Sequence, residues 1–186
     1  MSLVNLTQGQ INKIQIDEGI VVVDYGETSE KVLGPTRGGA EFTATPSIRD
    51  IEYDGRKGKT AGMQVKDGED VALKIAVLDC SQETLALAIP SSVVTNGKIE
   101  QSDFGVIPTT AYLKNVAVIT KMLDGTYKIL TVKKPMHEGP FTFKTASKSE
   151  NEHSLEFLGH YNALDIDEKM WSVEDSATNP LTPISA

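Results

Sequence analysis

The sequence predicts a mainly β fold: an antiparallel β-sandwich or partial barrel with one short α-helix on its flank, a long protruding hairpin and extended termini. Three observations lead there. Apolar and polar side chains alternate with a period of two in several separate stretches, the signature of half-buried strands. Valine, isoleucine and threonine are frequent, and 15 glycines are available to turn the chain between strands. Only one stretch has both the caps and the spacing of a helix. A chain of 186 residues is ample for one core, and the strand candidates divide it into an N-terminal arm over 1–18, a β domain over 19–164 and a C-terminal tail over 165–186.

In chain order, residues 1–18 carry scattered leucine, valine and isoleucine with no clean period, which predicts an arm that orders on contact. Ile20–Tyr25 predicts the first strand, whose apolar run Ile20–Val23 reads as buried on both faces, and Gly26 ends it. Gly34, Pro35, Gly38 and Gly39 then predict a sharp bend. A phosphate-cradling loop is the other reading of those glycines. It fails because no helix follows to supply N-terminal amides and no Lys-Ser or Lys-Thr pair comes directly after the glycines.

From Ala40 to Tyr53, Phe42, Ala44 and Ile48 share one face, while Glu41, Thr43, Thr45 and Arg49 share the other. The step from Ile48 to Ile51 is three residues, so the apolar face changes side there unless a bulge intervenes. Asp54–Gly62 holds three glycines and the cations Arg56, Lys57 and Lys59 without a large apolar side chain, which predicts a mobile tip that waits for a partner. The return arm sets Val71, Leu73, Ile75 and Val77 on one face. Ser81 as N-cap, Glu83 in the first turn, Leu85 and Ile89 four apart and a closing Pro90 predict the helix over 81–89.

Residues 91–110 read as a loop with one short strand near Lys98–Glu100. Ala111–Met122 and Thr126–Lys134 read as strands joined at Asp124-Gly125 by a two-residue hairpin turn. Phe141–Ala146 and Ser154–Tyr161 read as a second hairpin, with Phe141, Phe143, Leu155, Phe157 and Tyr161 facing the core. Residues 165–186 lose periodicity, and Pro180 and Pro183 predict little fixed structure.

Composition excludes several functions. A net charge of −8 argues against a protein that grips nucleic acid through phosphates, yet allows a surface past which DNA slides. Cys80 is the single cysteine, so no intramolecular disulfide forms, and at a strand-to-helix turn it reads as a small residue filling a corner, without an activating neighbour. His137, His153 and His160 read as surface or edge histidines; His153 and His160 are an odd number apart and would face opposite sides of one strand. No nucleophile elbow, calcium loop or catalytic carboxylate pair stands out, so no catalytic residue, metal ligand or cofactor is expected. No basic segment followed by an apolar block directs export, and no apolar run spans a bilayer. The one basic concentration, Arg56, Lys57 and Lys59, could touch nucleic acid, lie solvated or dock on an acidic subunit; with Tyr53 as its sole aromatic neighbour, stacking on single strands is disfavoured, and an acidic copy of the same chain is a complementary partner.

Three ordered pieces carry a resemblance: Gly-Pro-Thr-Arg-Gly-Gly-Ala-Glu-Phe at 34–42, Ile-Arg-Asp-Ile-Glu-Tyr-Asp-Gly at 48–55 running into the basic loop, and Leu-Lys-Ile-Ala-Val-Leu-Asp at 73–79 entering the helix. Ser-Leu-Glu-Phe-Leu-Gly-His-Tyr-Asn-Ala at 154–163 looks like a closing strand of the same kind. In that order the chain resembles the major tail (tail tube) proteins of long, non-contractile-tailed bacteriophages. The resemblance implies hexameric rings stacked into a hollow tube, without catalysis, through which DNA passes without specific binding. It also implies partner tape-measure, initiator and terminator proteins, a place in the virion tail after assembly in the host cytoplasm, and no membrane contact. Carried onto this chain, the bridging hairpin is Ile48–Val65, with Arg49, Tyr53, Asp54, Arg56, Lys57 and Lys59 as candidate contacts between subunits. Two other readings stand beside it: a tube protein of a contractile tail or injection machine, and a monomeric carbohydrate-binding or hydrolytic β-sandwich.

Overall fold

A computed structural model describes residues 5–17, 19–101, 104–143, 145, 147–148 and 150–181. Its elements in chain order are α1 (Gln8–Asn12), β1 (Ile20–Val23), β2 (Lys31–Val32), β3 (Thr36–Asp50), β4 (Gln64–Val77), α2 (Gln82–Leu87), β5 (Val93–Thr95), β6 (Lys98–Glu100), a 3₁₀ turn (Thr109–Ala111), β7 (Asn115–Lys121), β8 (Tyr127–Lys133), β9 (Met136–His137), β10 (His153–Leu158) and β11 (Trp171–Ser176). The fold is mainly β and sandwich-like, with no closed barrel among the described residues. One sheet runs β11-β8-β7-β1-β2, a second runs β3-β4-β10-β9, and β5 and β6 form a small ribbon apart. All strand pairs are antiparallel.

The core lies between the two larger sheets. Val21, Val23, Val116, Val118 and Val132 meet Val71, Leu73, Ile75, Val77, Leu155 and Phe157 there. Removing a side chain of this size from water contributes about 1.5–3 kcal/mol, so this layer dominates stability. On the far face of the five-stranded sheet, Val22, Ala117, Ile119 and Ile129 form a second cluster, with Leu181 packed against it. β1 is therefore buried on both sides, which explains its unbroken apolar run.

The two long strands β3 and β4 make the hairpin. It has a root inside the sandwich and an outer half beyond it. Gly38 and Gly39 stand at φ 77° and 76°, a conformation costly for other residues, and the register shifts between Arg37 and Ala40. The glycines thus bulge a strand that starts at Thr36 and do not make the predicted bend. Pro46 lies within β3, which is tolerated because β3 is an edge strand.

Several expectations are corrected. The flanking helix is not alone: Thr7 and Gln10 form a capping box on α1, a single turn within the N-terminal arm. That arm is tied to its own chain, since Leu123 N–H donates to Ile14 O at 2.9 Å and Ile16 N–H to Lys121 O at 3.2 Å. The C-terminal segment supplies β11, which pairs with β8 from Trp171↔Val132 to Ser176↔Tyr127, so it is an edge strand and not a structureless tail. Phe141, Phe143 and Tyr161 are exposed, and β10 pairs with β4 and β9 where a 141–146 partner was expected; residues 144 and 146 lie outside the described set. At Asp124-Gly125 the loop has three residues: Gly125 N–H donates to Met122 O at 3.0 Å, and Gly125, at φ 87°, hands the chain back to Thr126. The two-residue turn sits elsewhere, at Asn96-Gly97 between β5 and β6, where both residues have positive φ.

Candidate functional site

The candidate site is the outer half of the hairpin, built from its root outward. At the root, Trp171 of β11 leans across from the opposite sheet. Its ring lies 5.3 Å from that of Phe42, and its indole N–H donates to Glu69 Oε2 at 2.9 Å. Lys66 bonds the other Glu69 oxygen at 2.7 Å. The Lys66 ammonium and then the Trp171 donor hold the Glu69 carboxyl below the usual carboxylate range.

One step further out the ladder slips. Ser47 pairs with Gly68 but Ile48 pairs with Lys66, so Asp67 is the extra residue of a bulge. The three-residue step from Ile48 to Ile51 itself meets no bulge: the ladder is regular from Ile48 to Asp50, and the slip lies one step inward, on the opposite strand. It turns Asp67 toward Arg49, which donates from Nε to Oδ2 at 2.9 Å and from Nη2 to Oδ1 at 3.3 Å. This forked pair spends Arg49 within its own hairpin.

The tip is ordered by polar bonds. Ile51 N–H donates to Met63 O at 2.8 Å, and Tyr53 Oη lies 3.0 Å from Thr60 Oγ1. Gln64 donates to Asp50 at 2.8 Å. Arg56 folds back with Nη1 3.7 Å from Asp50 and Nη2 3.5 Å from Glu52. The expectation of a tip unable to fix itself overlooked these bonds, because apolar content was its only measure. Of the six residues singled out, Arg49, Tyr53 and Arg56 are engaged within the hairpin. Asp54, Lys57 and Lys59 are exposed and make no ion pair among the described residues. With Asp50, Glu52 and Asp54 alongside four cations, the hairpin is close to neutral, and its uncompensated positive charge is confined to Lys57 and Lys59.

The histidines and the cysteine also sit differently from expectation. His137 and His153 are buried, not at the surface. Glu156 N–H donates to His137 Nδ1 at 2.9 Å, which places the ring proton on a buried Nε2 that has no hydrogen-bond partner among the described residues. Burial pushes the His137 pKa below its ordinary 6.5. His153 Nε2 lies 3.1 Å from Cys80 Sγ, while its Nδ1 faces Thr142 O at 3.3 Å, so the exposed thiol does have an imidazole neighbour. Seventy-three residues separate the pair in sequence, so only the fold could bring it together.

Ser81 caps α2 as expected, its Oγ accepting from Thr84 N–H at 3.3 Å, and Asp79 braces that cap by accepting from Thr84 Oγ1 at 2.6 Å, Ser81 Oγ at 2.8 Å and Ser81 N–H at 2.9 Å. Those bonds, Thr84 first, hold its carboxyl low. Gly34 makes this cap possible, since a Cβ there would stand 2.6 Å from Asp79 Cβ. Among the described residues no group of three His, Cys, Asp or Glu side chains could hold a metal ion, and no helix is long and apolar enough to cross a membrane.

No protein-family model matches the chain, and no curated protein shows significant similarity to it.

The root of the hairpin was partly hidden from sequence reasoning. Trp171 and Glu69 lie 102 residues apart, and nothing around Trp171 alternates clearly enough to mark a strand. Nothing in the sequence marked the bulge at Asp67, since the ladder from Ile48 to Asp50 runs in regular register.

Proposed function

We propose that this chain is a structural, non-catalytic subunit of a phage tail tube that self-assembles into stacked, hexameric rings forming a conduit for DNA. One observation carries the reading above all. A β-hairpin of two long strands projects from a two-sheet domain, is stiffened by its own cross-strand bonds, and offers two uncompensated lysines on a chain of net charge −8. A projection stiffened in that way suits contact with another molecule. The open edge of β3 supports the same reading, since closing identical subunits into a ring uses such edges instead of leaving them to aggregate.

In this reading the hairpin reaches a neighbouring subunit, tape-measure, initiator and terminator proteins set the length and ends of the tube, and the assembled product resides in the virion tail. The bore is net acidic, so that DNA is repelled and slides; a strongly basic bore would contradict this.

Negative-stain electron microscopy across a concentration series, with sedimentation velocity on the same samples, tests the proposal. Rings or hollow tubes are expected. A chain that stays monomeric when initiator and tape-measure proteins are supplied overturns it.

A further inference from the structure

We infer that the receptor for the hairpin tip is the turn Leu164–Asp167 of a second copy of this chain. The inference rests on the assembly reading and names the surface that completes it. Leu164 and Ile166 are 96% and 76% exposed, so two large aliphatic side chains stand uncovered on one short turn. Floppiness does not explain the exposure, because the turn is held by its own bonds. Asp165 N–H donates to Asn162 O at 3.1 Å, Leu164 N–H to Asn162 Oδ1 at 3.1 Å, and Glu168 N–H to Asp165 O at 3.3 Å. Glu168, the last of these, is compensated by Lys133 and Lys134 at 3.3 and 3.1 Å. Asp165 and Asp167 are exposed and have no ion-pair partner among the described residues.

The turn therefore presents two uncompensated carboxylates alternating with two uncovered aliphatic side chains. The hairpin presents the complement: the ammonium groups of Lys57 and Lys59, with Ile51 and Tyr53 exposed on its flank. Beside Leu164 opens a cleft of about 600 Å³, walled in part by Tyr112, Leu113 and Tyr161, which can take an apolar side chain next to the ion pairs.

The two surfaces cannot meet within one molecule. Lys66–Glu69 at the hairpin root borders the same loop, through Ile166 and Asp167. From Gly68 the strand runs outward to Met63, and at roughly 3.3 Å per residue this carries the tip about 17 Å away from its own turn. Contact between different patches on two copies is heterologous, the kind that closes rings or stacks them. A single such contact is small, and repetition around a ring supplies the avidity.

Charge reversal tests the pairing. Lys57→Asp with Lys59→Asp forms one variant, Asp165→Lys with Asp167→Lys a second, and all four changes a third, each with its thermal unfolding measured as a check on folding. In the wild type and the three variants, sedimentation velocity and electron microscopy give the concentration at which assembly begins. Each reversed pair is expected to raise that concentration about tenfold or more, and the fourfold variant to return it to near the wild-type value. Tubes formed equally well by wild type and either reversed pair overturn the inference and leave the assembly reading intact. Two harmful reversals without rescue also overturn it, since each lysine and aspartate would then serve a different partner. A wild-type chain that never assembles, with initiator and tape-measure proteins present, overturns both.

Discussion

His137 shows how one side chain links the core to pH. Its ring is buried, its Nδ1 accepts from the Glu156 backbone, and desolvation holds its pKa below 6.5. A histidine depressed in this way stabilises the fold in its neutral form. That stabilisation is fully present above pH 6.5, where the unfolded chain is also neutral. As pH falls below that value the unfolded chain takes up a proton that the folded chain refuses, and stability is lost as pH descends through the folded pKa. Denaturant unfolding between pH 7 and 5 is expected to show that decline, and His137→Gln to flatten it; an identical slope in the variant would remove His137 as its source. The sequence read His137, beside Glu138, as a surface or edge histidine. The two-residue strand β9, too short to show any period, is what buries it.

The hairpin is an element with two regimes. Its inner half is fixed by apolar contact, with Phe42 against Trp171 and with Val71 and Leu73 in the core. Its outer half is held by polar cross-bonds, beginning at Glu69 and Asp67. Glu69→Ala removes both the indole acceptor and the Lys66 partner. It is expected to lower stability slightly and to speed amide exchange around Gly68–Val71, with the central strand β7 unaffected. Uniform acceleration across the domain would show that the root has no local role. The inner half was legible in sequence because burial writes a period of two along a strand, and Val71, Leu73, Ile75 and Val77 are all buried as that period requires. The outer half was legible only in outline. Its bonds join polar side chains that alternation marks merely as wet, and three of the six residues proposed as contacts are bonded to Asp67, Thr60 and Asp50 of their own hairpin.

At the level of the whole molecule, the domain and the projection are separable. The core lies between the sheets and includes nothing from 51–63. Deleting those residues and joining Asp50 to Gln64 through Asn-Gly preserves the last ladder pair and supplies a favoured two-residue turn. The shortened chain is expected to unfold at nearly the wild-type temperature and to remain monomeric, by circular dichroism and sedimentation. Assembly without the tip would end its role as a bridge. The architecture followed from composition and period, which report on burial. The strand β11 escaped because most of its positions are exposed, its contacts lie far off in sequence, and the polar run Glu174-Asp175-Ser176 breaks the alternation that Trp171 and Val173 begin.

Trp171 is the chain's one tryptophan, and the fold places it at the joint where the projection meets the body. The molecule therefore carries an optical gauge of its own joint. Its emission wavelength reads the wetness of one seam, free of signal from any other indole. A shift on mixing with a partner would mean that force applied at a distant tip had reached the sandwich, and an unchanged spectrum that the hairpin bends before its root does.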